Sequence, residues 1–218
     1  MAGRIGPYRR VVTDGLVLNL DATNRYSYPG TGTTWTDLSS YGNNGTLVNG
    51  PTFENGGIRF DGTDDYVSFN SVQVRTVQIW AKADNGFNSN LEGIICTSVQ
   101  YDGSLRFTGG TFRNANSADI NDMQLGYPAD LWINGVKNPG NSVGNVYTVP
   151  NGRTLNQDFF VSVKADPTKY TSTVTSLSHN FQNRRFKGII YSVYLYNRWL
   201  SDEEILQNYN ATKTIYGL

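Results

Sequence analysis

Glutamate is scarce in this chain, with only Glu54, Glu92, Glu203 and Glu204 among 218 residues. Cysteine and histidine are scarcer still, since Cys96 and His179 each stand alone. A lone cysteine excludes an internal disulfide, and one cysteine with one histidine excludes a zinc site built from thiolates and imidazoles. Cys96, inside Gly93–Thr97, reads as a small buried hydrophobe on a strand and not as a nucleophile. Ser178–His179 has no fixed acid and no nucleophile elbow around it, so it reads as a surface loop. No run of eighteen apolar residues is present to cross a membrane as a helix. The opening MAGRIGPYRRVV lacks the apolar centre of a secretory signal, which fits synthesis in the cytoplasm. Net charge is zero, from 18 basic and 18 acidic residues, so nucleic acid has no electrostatic footprint to meet. Charged residues make up only 17% of the chain, which suits a surface that touches other protein.

What is abundant is strand and turn material: glycine, asparagine, threonine, serine and tyrosine. Strands are expected at Val17–Leu20, Gly57–Phe60, Tyr66–Phe69, Thr76–Ala83, Gly93–Val99 and Ser104–Thr108. Others follow at Leu131–Ile133, Val136–Lys137, Val146–Val149, Asp158–Ala165 and Thr173–Ser176. Tyr101–Asp102–Gly103 and Asn134–Gly135 sit between alternating runs and predict hairpin turns. Gly109–Tyr127 carries little period. Phe186–Leu195 alternates as a strand, placing Ile189, Tyr191, Val193 and Leu195 on one face. It leads into Ser201, whose hydroxyl with Glu204 three residues on forms a capping box for a single helix. Residues 1–13 have no apolar period before Val11 and read as an extended N-terminal arm, either packed on its own domain or reaching a neighbour. Residues 14–218 read as one domain.

Candidate chemistry is thin. Glycosidases on β-sandwiches need two carboxylates about 5 Å apart for retention, or further for inversion. No strand here carries acids two or four residues apart on one face. Asp64 and Asp65 are adjacent in a turn, and Glu203 and Glu204 are explained by helix capping. Asp61, Asp64, Asp65 and Asp119 offer oxygen to a hard cation such as calcium, yet lack EF-hand spacing, and Asp61–Gly62 is more simply a turn. Tyr26–Trp35 and Asn85–Asn90 supply aromatics and amides to a glycan, although tyrosine serves protein contacts equally well.

Several segments together resemble the laminin-G-like, concanavalin A-like lectin/glucanase superfamily. The end of the chain matches "F-x-G-x-I-x-x-V-x-[IL]-Y-N-R-x-L" at Phe186, Gly188, Ile190, Val193, Leu195, Tyr196, Asn197, Arg198 and Leu200. The helix opening "S-x-x-E-I" follows at Ser201, Glu204 and Ile205. Arg59–Phe69, Thr76–Ala83 and Leu131–Lys137 resemble three further strand motifs in the family's order. Asp14–Ala22, Ser27–Leu38, Gly42–Val48, Pro51–Phe53 and Asn208–Leu218 are similar to a variant found in structural proteins of tailed bacteriophages.

The resemblance implies an all-β, jelly-roll β-sandwich of two antiparallel sheets with one short C-terminal helix. It also implies a non-enzymatic virion component; from the residues themselves, no cofactor and no metal are expected. Among virion roles, a capsid decoration or cement protein suits a compact head with an arm and no fibrous shaft. Arg4, Tyr8, Arg9 and Arg10 are then the residues expected to dock on the major capsid protein or another virion protein, through charge-assisted contacts. The alternative is a receptor-binding, glycan-binding module of a tail or head fibre. A homo-oligomer and a host-surface glycan stay open as further partners; nucleic acid and membrane are not expected.

Overall fold

The computed structural model describes residues 10–84, 92–97, 105–108, 111–113, 130–138, 146–148, 157–164, 172–178 and 185–217. In chain order the strands begin with β1 (Leu16–Asp21), β2 (Thr34–Trp35), β3 (Gly45–Val48), β4 (Thr52–Glu54), β5 (Gly57–Asp61) and β6 (Tyr66–Val74). Next come β7 (Thr76–Ala83), β8 (Glu92–Thr97), β9 (Leu105–Thr108), β10 (Thr111–Arg113) and β11 (Asp130–Ile133). The last are β12 (Val136–Asn138), β13 (Val146–Thr148), β14 (Asp158–Lys164), β15 (Ser172–Leu177) and β16 (Lys187–Tyr196). Helix α1 (Asp202–Thr212) and a 3-10 turn over Lys213–Tyr216 follow.

The strands form two antiparallel sheets, so the all-β sandwich with one C-terminal α-helix is observed. The first sheet runs β12-β11-β14-β7-β16-β5-β4, with β1 beside the second half of β16. The second runs β13-β10-β9-β8-β15-β6-β3-β2. Strand β10 falls in the stretch whose sequence showed little period. The Asn134–Gly135 turn is as expected: both residues have positive φ, +49° and +76°, the requirement of the two-residue turn that joins β11 to β12. The turn between β8 and β9 lies outside the described residues, but the two strands do pair.

The inner faces meet in one apolar core. Leu18, Leu20, Ile58, Phe60, Val77, Ile79 and Val161 from the first sheet pack with Val67, Val74, Ile94, Val174 and Leu177 from the second. The first sheet is covered on its other face as well. Trp80, Trp132, Phe160, Ile189, Tyr191, Tyr194 and Tyr196 form a second cluster there with Leu200 and Ile205, under α1. This is why β7, β14 and β16 read as near-continuous apolar runs, as strands buried on both faces do.

One expectation about β16 is corrected. Ile189 and Tyr191 belong to the outer cluster, whereas Val193 and Leu195 lie in the inner core. The ladder to β7 steps from Ile190–Ala81 directly to Ser192–Trp80, leaving Tyr191 as an extra residue. This bulge reverses the alternation, so the strand presents a different parity to the core before and after it.

The Trp35–Leu47 connection is organised by a single carboxylate. Asp37, largely buried, accepts from the backbone N–H of Asn19 (2.8 Å), Ser39 (2.9 Å) and Asn43 (2.8 Å) and from the Ser39 hydroxyl (2.6 Å). An ionised acid with four donors is well satisfied. The Asp-Leu-Ser and Gly-Asn-Asn-Gly stretches are therefore parts of one structural loop.

Candidate interaction site

The site begins at the junction of the N-terminal segment with α1. Of the expected docking residues, Arg4, Tyr8 and Arg9 lie outside the described residues. Arg10 is exposed, and its carbonyl accepts from Gln207 Nε2 at 2.8 Å. Two residues on, the Val12 N–H donates to Asn208 Oδ1 at 2.7 Å, and the Val12 carbonyl accepts from the Tyr196 hydroxyl at 3.0 Å. Val11 and Val12 pack against the outer aromatic cluster. Among the described residues, the N-terminal segment is thus held on the domain from Arg10 onward.

Arg198 secures the same corner. Its guanidinium donates to both Glu204 oxygens, at 2.9 and 2.6 Å, and its Nε to the Asp14 carbonyl at 3.1 Å. Glu204 also closes the capping box: Ser201 N–H donates to Oε2 at 2.8 Å, and Glu204 N–H to Ser201 Oγ at 3.2 Å. The Asn-Arg-x-Leu-Ser-x-x-Glu run therefore has a mechanical reason, because its arginine and glutamate lock the helix start to the end of β16.

The Arg198 hydrogen bonds hold the Glu204 carboxyl below its ordinary value, and hydrogen bonding to Lys164 does the same for Asp202. A carboxyl whose folded pKa is depressed stabilises the fold above its unfolded pKa, and that stability is lost as pH falls through the folded value. Asp21 and Asp65 oppose this, since burial raises their pKa values and their protonation favours the fold. Glu204, Asp202, Glu203 and Asp61 are all held low and outnumber them, so the melting temperature is expected to fall as pH drops below about 4.5, the ordinary glutamate value. Glu204→Gln should show a shallower fall over the same range. Equal slopes for the two proteins would contradict this assignment.

Two other polar clusters lie away from this corner. On the outer face Arg59 bridges Glu54 and Asp84, and the Tyr191 hydroxyl donates to Asp158 at 2.8 Å. Burial and the Asp158 hydrogen bond push the Tyr191 phenol up, which keeps it protonated and unsuited to nucleophilic attack. Asp61, Asp64 and Asp65 bring their carboxylates within 4.8 Å of one another. Asp65 is turned inward and accepts the Asp61 N–H at 3.0 Å, while Asp61 accepts the Thr63 N–H at 2.7 Å. These contacts make the turn that was expected from Asp61–Gly62. Asp119 and His179 lie outside the described residues, as does the Cys96 side chain.

The loops do present aromatic surface. Tyr26 is 88% exposed and Tyr41 58%, and Phe53, 41% exposed, packs on Tyr28 with ring centroids 5.6 Å apart. Sequence reasoning missed Asn208, Gln78, Tyr196 and Gln207 as the residues that hold the N-terminal segment. A glutamine inside the apolar run TVQIWA was the one available signal, since a polar side chain on a doubly buried strand needs a partner.

No protein-family model and no curated protein matches the chain. Solved structures do. Trypanosoma rangeli sialidase in complex with 2,3-difluorosialic acid matches with a TM-score of 0.55 at 15% identity, over 94% of this chain and 34% of that one. The botulinum neurotoxin serotype D binding domain matches at 0.55 and 14% identity, over 91% of this chain and 52% of that one. The binding domain of botulinum neurotoxin DC, solved with rat synaptotagmin II, matches at 0.55 and 16%, over 92% and 52%. The chain spans between a third and about half of these proteins. At such identities the likeness establishes the β-sandwich fold alone, and it does not make this protein an enzyme.

Proposed function

We propose that the protein is a non-enzymatic virion structural component of a tailed bacteriophage, a capsid decoration or cement protein attached through the chain that precedes Arg10. The observation that carries this reading is the stitched junction at Arg10–Asp14. A segment whose backbone is held at Arg10, Val12 and Asp14 by Gln207, Asn208, Tyr196 and Arg198 gives the residues before it a fixed point of departure. Arg4, Tyr8 and Arg9, together with the exposed Arg10, would then engage acidic or carbonyl-rich grooves of the major capsid protein. Resemblance of the opening and closing motifs to phage structural proteins supports the virion assignment. The zero net charge and the tied-up carboxylates support a binding role over a hydrolytic one. A protein that binds only the assembled shell stabilises it by mass action.

The test is binding of the purified protein to assembled capsids of the phage that encodes it, intact and lacking residues 1–9. Truncation at residue 9 leaves Arg10–Thr13 and the contacts described for them in place. Saturable binding that falls at least about tenfold on truncation, the scale of one or two lost charge-assisted contacts, is expected. Equal binding by both forms would move attachment to the sandwich itself. A second reading, glycan binding by a fibre module, draws on the exposed Tyr26 and Tyr41 rings. It predicts sugar binding that survives the truncation and is lost in a Tyr26→Ala, Tyr41→Ala variant.

A further inference from the structure

Asn208 is fully buried, and its amide closes a ring of hydrogen bonds with a single residue of the N-terminal segment. The Val12 N–H donates to Asn208 Oδ1 (2.7 Å), Asn208 Nδ2 donates to the Tyr196 hydroxyl (2.9 Å), and that hydroxyl donates to the Val12 carbonyl (3.0 Å). The ring is extended inward. Asn208 Nδ2 also donates to Gln78 Oε1 at 2.6 Å, and Gln78 Nε2 donates to Ser162 Oγ at 3.0 Å. Gln78 and Ser162 are fully buried partners across the β7–β14 ladder. One continuous polar path therefore runs from the main chain of Val12, through α1, into two central strands of the first sheet.

The chemistry of the path is specific. An amide presents an acceptor and two donors in a plane, as a neighbouring strand's peptide group would, and can pair with Val12, Tyr196 and Gln78 at once. Leucine would fill the same volume but leave the Val12 N–H, the Gln78 carbonyl and the Tyr196 oxygen short of partners, each at a cost. Packing alone did not require asparagine at this position.

We propose that Asn208 is a positioning residue that latches Arg10–Asp14 to the domain, so that tension on the preceding chain is borne by β7 and β14 and not lost in fraying of Val11 and Val12. The latch deepens the proposed attachment role, since a tether that peels would let the domain drift from its binding point.

Amide hydrogen exchange of the full chain tests it. In the wild type, Val12 is expected to exchange far more slowly than an unstructured peptide. Asn208→Leu is expected to speed Val12 exchange roughly 10- to 100-fold, the span of one or two lost hydrogen bonds, while Val161 in β14 keeps its protection. Asn208→Asp supplies a readout that packing would not move. A buried carboxyl titrates high, and in its protonated form it offers a donor beside its acceptor and so restores one of the two amide N–H bonds. Val12 should be fast in this variant at pH 8 and regain protection, relative to intrinsic rates, at about pH 5. The titratable groups around the site are Tyr196, which burial keeps neutral, and Arg10, Asp14, Arg198 and Glu204. Glu204 is held below its ordinary value and stays ionised at that pH. Gln78 and Ser162 carry no charge.

Should Asn208→Leu fail to fold, Tyr196→Phe removes one bond of the ring with little change in volume and should speed Val12 severalfold. Unchanged Val12 exchange in whichever of these two variants folds, or an Asn208→Asp variant insensitive to pH, would overturn the latch. Capsid binding that survives loss of residues 1–9 would refute the attachment role and leave the exchange result standing, so the two failures are distinguishable.

Discussion

Trp80→Ala is expected to lower stability by about 3–5 kcal/mol, the range for removing a large aromatic from a packed core. Trp80 is fully buried on β7, beneath α1. Its ring stacks on Tyr216 at 4.4 Å and Tyr209 at 5.9 Å, and it meets Phe160 at 4.9 Å. The indole N–H donates to Thr212 Oγ1 at 2.8 Å, and that hydroxyl donates to the Asn208 carbonyl at 2.8 Å. The void cannot readily collapse, because the helix start is held by the capping box and Arg198 while the sheet beneath is rigid. For a chain of this size the loss corresponds to a fall in melting temperature of roughly 6–20 °C. Trp80→Phe keeps most of the stacking and should cost far less. Denaturant unfolding checks both, and a loss below about 1.5 kcal/mol for the alanine variant would show that the helix settles onto the sheet without its indole.

Gly188→Ala is expected to be nearly as damaging, for a backbone reason. Gly188 has φ +150°, a region essentially closed to residues with a Cβ. A Cβ built there would lie 2.2 Å from the Lys82 carbonyl oxygen and 3.0 Å from the Ala83 Cα, both main-chain atoms of the adjacent strand. Neither can move without opening the β7–β16 ladder, which pairs Gly188 with Ala83. Backbone strain of ~1–3 kcal/mol and an overpacking cost of similar size are expected to act together. The glycine of the Phe-x-Gly motif is therefore a close-approach position, not a hinge. A soluble Gly188→Ala protein melting within a degree or two of wild type would refute this account.

What could be read from the sequence was local. Ser201 and Glu204 are three residues apart, and Asn134–Gly135 needs only its own dihedrals, so both features stand as expected. The two antiparallel sheets followed from strand pattern and from resemblance. What escaped was set at a distance. The bulge at Tyr191 depends on how β16 registers with β7, and nothing in FKGIIYSVYL marks which residue will be extra. Asn208 looked like one more amide at the end of a helix, because its partner Val12 is 196 residues away. The seating of Val11 and Val12 escaped for the same reason: they are too short a run to show period, yet they have an apolar cluster to join. The Asp61, Asp64 and Asp65 grouping was visible as acids in a turn, and the contacts of Asp65 and Asp61 with the turn's own backbone keep that reading.

The neighbours in known structures share an architecture that serves unrelated proteins, and function has to be sought at this chain's own sites. In this chain the places to look are the N-terminal segment from Arg10, its junction with α1, and the exposed rings of Tyr26 and Tyr41. The most direct measurement is electron cryo-microscopy of encoding-phage capsids incubated with the full-length protein. The account predicts density for the sandwich outside the shell, joined to the major capsid protein by the residues before Arg10, with Arg10–Asp14 still seated on α1. Bare capsids, or a sandwich seated on the shell through its loops or sheet with those first residues making no contact, would contradict it.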